Sequence, residues 1–335
     1  MKRTLSTILQ YVGFLGLGIW IIYYMLSKLK PEQKVQLVDA IKSINPLYLI
    51  PICLAGFLSH FFRGLRWRYL LETLDMKPTV MNTTFSVFIG YFVNLLLPRA
   101  GEVAKCTVLA KYENLPAHKM IGTIVAERAF DVFCLLLITI AAFFLQIHII
   151  SDYVSPIIAR VRTMISNNEK ALIISIIVFA LMLVGLFLVY RKYKDNKLGK
   201  IMKEMTHGVL SILLMKKRWQ FITYTILIWL MYTLQIYIGL KSLPPTEHLS
   251  FLAALVVLVY GSVGMIGTPG GIGLYTYLVA QILGAYAIAE VPAQAFGWIA
   301  WAVTTAIIIV FGVISALTIH SYNRRRNAKI AVDTT

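Results

Sequence analysis

Few side chains in this sequence can do chemistry, and most of them stand inside apolar runs. The stretch "AERAFD" puts Glu127, Arg128 and Asp131 near the start of one such run. Glu127 and Asp131 are four residues apart and share a helical face, with Arg128 about 100° round from Glu127. Two carboxylates beside an arginine form either a structural ion-pair latch or a holder for a proton or cation coupled to transport. The stretch "NLLLPRAGEVAKC" sets Asn94, Arg99 and Glu102 around Pro98 and Gly101. Charges in a membrane cost roughly 2.5–3.5 kcal/mol each and tend to be paired or functional. Arg99 and Glu102 therefore read either as an internal neutralising pair or as part of an anion site. In the second reading the unpaired N–H groups of a helix start join the guanidinium on a phosphate-bearing substrate. "RGLRWR" groups Arg63, Arg66 and Arg68 with Trp67. That is either a positive anchor with an interfacial tryptophan, or a set of guanidinium forks matched to lipid phosphate. "GTPGGIG" supplies Pro269, Gly270, Gly271 and Gly273, where backbone N–H groups can be exposed to a ligand.

No catalytic residue is assigned, and no cofactor or metal is expected. Cys53, Cys106 and Cys134 are odd in number, lack ligand spacing and read as small buried hydrophobes. The six histidines have no metal spacing and read as structural.

The elements that must position these residues are set by hydrophobicity. Of the 335 residues, 59% are hydrophobic and 14% charged. The apolar residues fall in blocks over 7–26, 46–62, 79–97, 121–147, 171–190, 219–240, 251–268, 270–289 and 293–319. A crossing takes about 17 to 25 residues, so the chain reads as an all-α polytopic membrane protein. The first block follows Lys2 and Arg3 but is too long for a signal peptide and reads as a retained helix. The net charge of +17 reflects basic cytoplasmic loops rather than nucleic-acid binding.

Basic residues also set the orientation. The loop 191–218 carries nine Lys or Arg, and "RRRNAK" adds four. Placing both in the cytoplasm, with the loops 28–46 and 151–170 outside, puts 22 basic residues inside and 8 outside and leaves Arg99 and Arg128 in the membrane. The four lysines of 28–46 run against this trend. The expected location is the cell membrane, with both termini cytoplasmic and the tail beyond Arg326 disordered.

This arrangement makes residues 98–120 return after an outward helix. They are too polar to face lipid alone, so they are expected as a half-helix packed in protein or lining a wet cavity. Pro269 interrupts the other half of the chain in the same way. About eight crossings plus two broken or re-entrant half-helices follow. The order helix, helix, break, helix recurs with opposite direction, which is the pattern of inverted repeats around a midplane site. The chain reads as one membrane domain: first helix 7–26, first repeat 46–147, connecting helix 171–190, second repeat 219–319 and tail 320–335.

In order and spacing, "RGLRWRYLL", "NLLLPRAGE", "ERAFD" and "TPGGIG" resemble the transmembrane region of lysylphosphatidylglycerol synthases, part of a flippase-like integral membrane family. The resemblance spans residues 10–320. It implies movement of anionic or aminoacylated lipids, or lipid-linked glycans, between leaflets. By motif match it implicates Arg63, Arg66, Trp67, Asn94, Pro98, Gly101, Glu102, Glu127, Arg128, Asp131, Pro269, Gly270, Gly271 and Gly273. The chain departs from the family in carrying Thr276 where a glutamate is usual, and in lacking a soluble aminoacyl-transfer domain. The expected function is a non-enzymatic lipid translocase whose partners are membrane phospholipids or lipid-linked substrates. A membrane-embedded transferase, or an accessory partner of a separately encoded lipid-modifying enzyme, is the alternative.

Overall fold

The structure is a computed structural model that describes residues 19–27, 29–97, 100–146, 212 and 215–333. The expected helix 171–190 lies outside these residues, as does most of 7–26; residues 19–27 are helical. The described elements are helical: α1 (Pro31–Lys42), α2 (Leu49–Glu72), α3 (Val80–Leu96), α4 (Ala100–Glu113), α5 (Ala117–Leu145), α6 (Arg218–Lys241), α7 (Phe251–Gly267), α8 (Leu274–Ala285) and α9 (Glu290–Asp333). Among the described residues four segments are long and apolar enough to cross a membrane: Pro46–Glu72, Ala117–Leu145, Arg218–Lys241 and Glu290–Ala328. The chain is a helical membrane protein.

Two compact units are present, one of Met1–Ile124 with Met215–Thr335 and a smaller one of Val125–Leu214. In the larger unit α2 and α6 run antiparallel. Asn45 donates its N–H to Ser242 O at one end (3.1 Å), and Lys217 pairs with Glu72 at the other (2.6 Å). Helix α3 packs beside α2, with Phe57 stacked on Phe88 and His60 edged against Phe88 and tilted on Tyr91.

Helices α3 and α7 are built alike. Each is 17 residues long. Each starts at a hydroxyl cap, where Thr79 accepts from Asn82 N (3.3 Å) and Ser250 from Ala253 N (3.2 Å). Each ends in an extended residue, Leu97 (φ −133) and Thr268 (φ −132), immediately before a proline. Proline's ring disfavours the helical region for the residue before it, so both helices stop there.

Each then closes on a return helix through glycine. A Cβ on Gly101 of α4 would lie 1.9 Å from Gly90 O of α3, and one on Gly264 of α7 would lie 2.5 Å from Tyr275 Cα of α8. The hairpin α3–α4 is antiparallel along its length, because Gly101 lies at Gly90 while Glu113 lies at Thr79.

Several expected boundaries are corrected. Helix α2 does not stop at Phe62 but runs to Glu72, because Arg63 and Arg66 are packed against neighbouring helices rather than solvated. Residues 31–42 form a helix rather than a loop. Helix α8 begins at Leu274 instead of Gly270, since Gly270, Gly271 and Gly273 all take positive φ. The tail is helical to Asp333: no proline or glycine follows Gly312 to end α9.

Candidate functional site

Arg63, Arg66 and Trp67 occupy one face of α2, at spacings of three and four, and all are buried. Arg63 donates to the Tyr232 hydroxyl (3.3 Å) and lies 5.8 Å from the Tyr91 ring centre. Arg66 is fully buried, donates to Thr225 Oγ1 (3.3 Å) and lies 5.2 Å from the Phe221 ring centre. Trp67, expected in an interfacial belt or a headgroup site, is fully buried; its indole N–H donates to Thr123 Oγ1 (3.0 Å).

A third buried cation packs on the Trp67 ring. Lys105 Nζ sits 4.0 Å from its centre, and Lys105 is 6% exposed. Cation–π contacts of this kind contribute about 0.5–2 kcal/mol, more when desolvated. The sequence reading passed over Lys105. The signal was present, because Gly101, Lys105 and Leu109 recur every four residues and form the buried stripe of α4. Three basic side chains from α2 and α4 are thus drawn into the interior of one unit, among Tyr91, Tyr232, Phe221 and Trp67.

At the first break, Pro98 and Arg99 lie outside the described residues. Asn94 is turned onto the start of α4, where its Oδ1 accepts the Gly101 N–H (2.8 Å). Gly101 is buried between Gly90 and Asn94, whereas Glu102 faces outward.

At the second break, Pro269–Gly271 form a single 3₁₀ turn in which Gly270 has φ +64 and ψ 14. The Gly271 N–H is not exposed as the sequence reading supposed. It closes the turn by donating to Thr268 O (3.0 Å), while Thr268 Oγ1 donates to Ile272 O (3.1 Å). Trp301 of α9 donates its indole N–H to Gly270 O (2.8 Å).

The two breaks meet. Leu95, in the last turn of α3, has its Cδ2 3.6 Å from where a Cβ of Gly270 would stand. The meeting level is marked by Trp301, eleven residues into α9 and so about 16 Å along it.

In the smaller unit Arg128 bridges two carboxylates, at 3.2 Å from Glu127 Oε1 and 3.3 Å from Asp131 Oδ2. Glu127 is fully buried, and the Arg128 side chain is 40% exposed. The guanidinium reaches both acids although it starts from a different helical bearing.

Residues 10–312 match the family described as the lysylphosphatidylglycerol synthase TM region. The chain belongs to this family. It is 27% identical over 143 residues to a UPF0104 membrane protein of Methanocaldococcus jannaschii, covering 42% of this chain and 40% of that protein. It is 28% identical over 233 residues to a UPF0104 membrane protein of Pyrococcus horikoshii, covering 63% of this chain and 69% of that protein. No solved structure matches it.

One polar cluster of this family member was missed from sequence altogether. Glu113, the last residue of α4, accepts at Oε1 from Thr79 N (2.9 Å), Thr79 Oγ1 (2.6 Å) and Asn82 Nδ2 (2.7 Å). Its Oε2 pairs with Arg326 of α9 (3.1 Å). Asn82 and Asn323 exchange side-chain amide bonds, both 2.8 Å. Burial raises the Glu113 carboxyl, but the bonds from Thr79 and Asn82 and the Arg326 charge outweigh it and hold it below its ordinary value. The cluster ties the open end of the α3–α4 hairpin to α9.

Proposed function

We propose that this protein moves a phosphate-bearing lipid, free or lipid-linked, between membrane leaflets without altering it covalently. The observation that carries the reading is the meeting of the two breaks well inside the length of α9, in a unit that also buries basic side chains on α2 and α4.

Helices α3 and α7 span about 25 Å each at 1.5 Å per residue, short of a hydrocarbon core of about 30 Å. Their N-termini stand at opposite ends of the unit: α3 follows the Glu72–Lys217 end, and α7 follows the Ser242 end. Two short hairpins entering from opposite sides and touching at their tips suit re-entrant elements of inverted repeats. They stand in addition to about eight crossings, the number that the apolar blocks of the sequence suggest. Non-helical backbone at such a depth is tolerated only against protein or a wet cavity.

Arg63, Arg66 and Lys105 provide positive charge to attract an anionic headgroup while its acyl chains remain in lipid. Arginine adds a planar fork for phosphate oxygens. Arg99, next to Ala100 in the sequence, is assigned to the same headgroup path with Asn94, Glu102 and Gly270. Glu127, Arg128 and Asp131 are assigned to coupling or gating. The protein is placed in the cell membrane with both termini cytoplasmic.

The assignment of the basic residues is tested by cross-linking. A phosphatidylglycerol analogue with a photoreactive headgroup is expected to label α2 or α4 near Arg66 and Lys105, and excess unmodified phosphatidylglycerol should compete. Labelling confined to the outward faces of α2 and α9, unaffected by competitor, contradicts it.

A further inference from the structure

We propose that α1 (Pro31–Lys42) is a lipid-docking helix that holds one flank against the acyl–headgroup boundary of an anionic leaflet. The inference rests on α1 alone and is independent of the translocase reading.

With 3.6 residues per turn, α1 divides into three stripes. Gln33, Leu37 and Ala40 form the packing stripe. Leu37 is buried and Gln33 and Ala40 are half-buried, and Leu29 and Leu37 pack with Val291, Ala295 and Ile299 of α9. Glu32, Gln36 and Asp39 form a second stripe that is exposed and wholly polar. The remaining flank is exposed and mixed: Val35, Val38 and Ile41 lie beside Lys34 and Lys42, with no acidic residue among them.

Exposed valine and isoleucine on one flank, with both acids and a glutamine on the other, is a sorted surface. A helix surrounded by water has no reason to sort its exposed residues in this way. Interfacial helices do, because one flank enters the acyl boundary while lysine stems run along it and raise their ammonium groups to the phosphates. The chain continues outward in the same character: Leu47, Ile50 and Leu54 are exposed at the start of a segment long and apolar enough to cross the membrane.

The charge selects the occupant. Two lysines and no carboxylate complement lipid phosphate, whereas a second copy of a chain with net charge +17 brings like charge to the flank.

The test uses the full-length protein with Cys53, Cys106 and Cys134 replaced by alanine, and a fluorophore on a single cysteine at position 38, 41, 36 or 39. Vesicles of phosphatidylglycerol or of phosphatidylcholine carry brominated acyl chains, and iodide is the aqueous quencher. Labels at Val38 and Ile41 are expected to be quenched several-fold more by brominated lipid than labels at Gln36 and Asp39, with the order reversed for iodide. The lipid quenching should be stronger in phosphatidylglycerol, and the double change Lys34→Gln, Lys42→Gln should remove that difference. Equal lipid quenching at all four positions overturns the proposal. Shielding of positions 38 and 41 from both quenchers overturns it too, because protein then covers the flank. Equal quenching in the two lipids overturns the anionic preference.

Discussion

Gly101 and Gly90 approach until there is no room for a methyl group, since the missing Cβ of Gly101 would stand 1.9 Å from a backbone oxygen. Backbone cannot yield as a side chain can, so Gly101→Ala should separate α3 from α4. Overpacking of this kind costs about 1–3 kcal/mol. We expect a clear fall in the thermal midpoint in detergent for Gly101→Ala. Gly122→Ala, where a Cβ meets nothing within 4 Å, should leave the midpoint unchanged or raise it. Equal midpoints for the two variants would contradict the close approach.

Glu113 gives a second prediction at this scale. Its carboxyl titrates lower in the folded protein than in the unfolded chain, whose ordinary value is near 4.5. The ionised cluster therefore contributes its full stability above that value and loses it as pH falls through the lowered folded value. As pH falls from neutral to below 4.5, Glu113→Gln should flatten the fall of the thermal midpoint relative to wild type. Parallel pH curves would show that the cluster does not couple to folding. These residues differ in how readable they were. Gly101 stood three residues after a proline in a quoted motif, whereas Glu113 is a lone carboxylate whose partner Arg326 lies at the far end of the chain. Nothing periodic announces such a pairing, and Asn82 and Asn323 are 241 residues apart.

At the scale of elements, the runs 79–97, 219–240 and 251–268 were legible because lipid demands apolar length, and α3, α6 and α7 match them closely. Both breaks were legible because proline constrains the residue before it as well as its own N–H. The reading failed where charge was taken as a sign of solvent. The arginines of "RGLRWR" suggested a helix end, yet α2 carries Arg63 and Arg66 inside, against Tyr91, Phe221 and Tyr232. Lysines in 28–46 suggested a loop, and the segment is α1. Lys105 likewise lies on the Trp67 ring rather than in solvent.

The antiparallel course of α2 and α6 supports a prediction on orientation. In a cysteine-free background, single cysteines at Lys42 and Lys241 should react with an impermeant thiol reagent from one side of the membrane. Those at Lys77 and Arg325 should react from the other, and be protected in intact cells. Labelling of all four from outside would overturn the orientation.

At the scale of the whole molecule, basic residues do two jobs. Most are expected to serve orientation, as the division of 22 inside and 8 outside read from the sequence implies. A few are taken into the larger unit at the cost of desolvation, and that cost suggests a use. A buried arginine on a fork-accepting ligand is not replaced by lysine without loss, because lysine offers a point charge and no planar fork. The central claim is that Arg63, Arg66 and Lys105 receive a phosphate-bearing headgroup on its way between leaflets. Its most direct test is the rate at which a fluorescent phosphatidylglycerol leaves the inner leaflet of vesicles holding the purified protein, read by reduction of the outer-leaflet probe with dithionite. Wild-type protein should accelerate exchange well above protein-free vesicles. Arg66→Ala should abolish the acceleration, and Arg66→Lys should restore only part of it, with all three proteins equally folded by thermal midpoint. Exchange no faster with wild-type protein than without it, together with accumulation of a covalently altered lipid, would contradict the account and favour an embedded transferase.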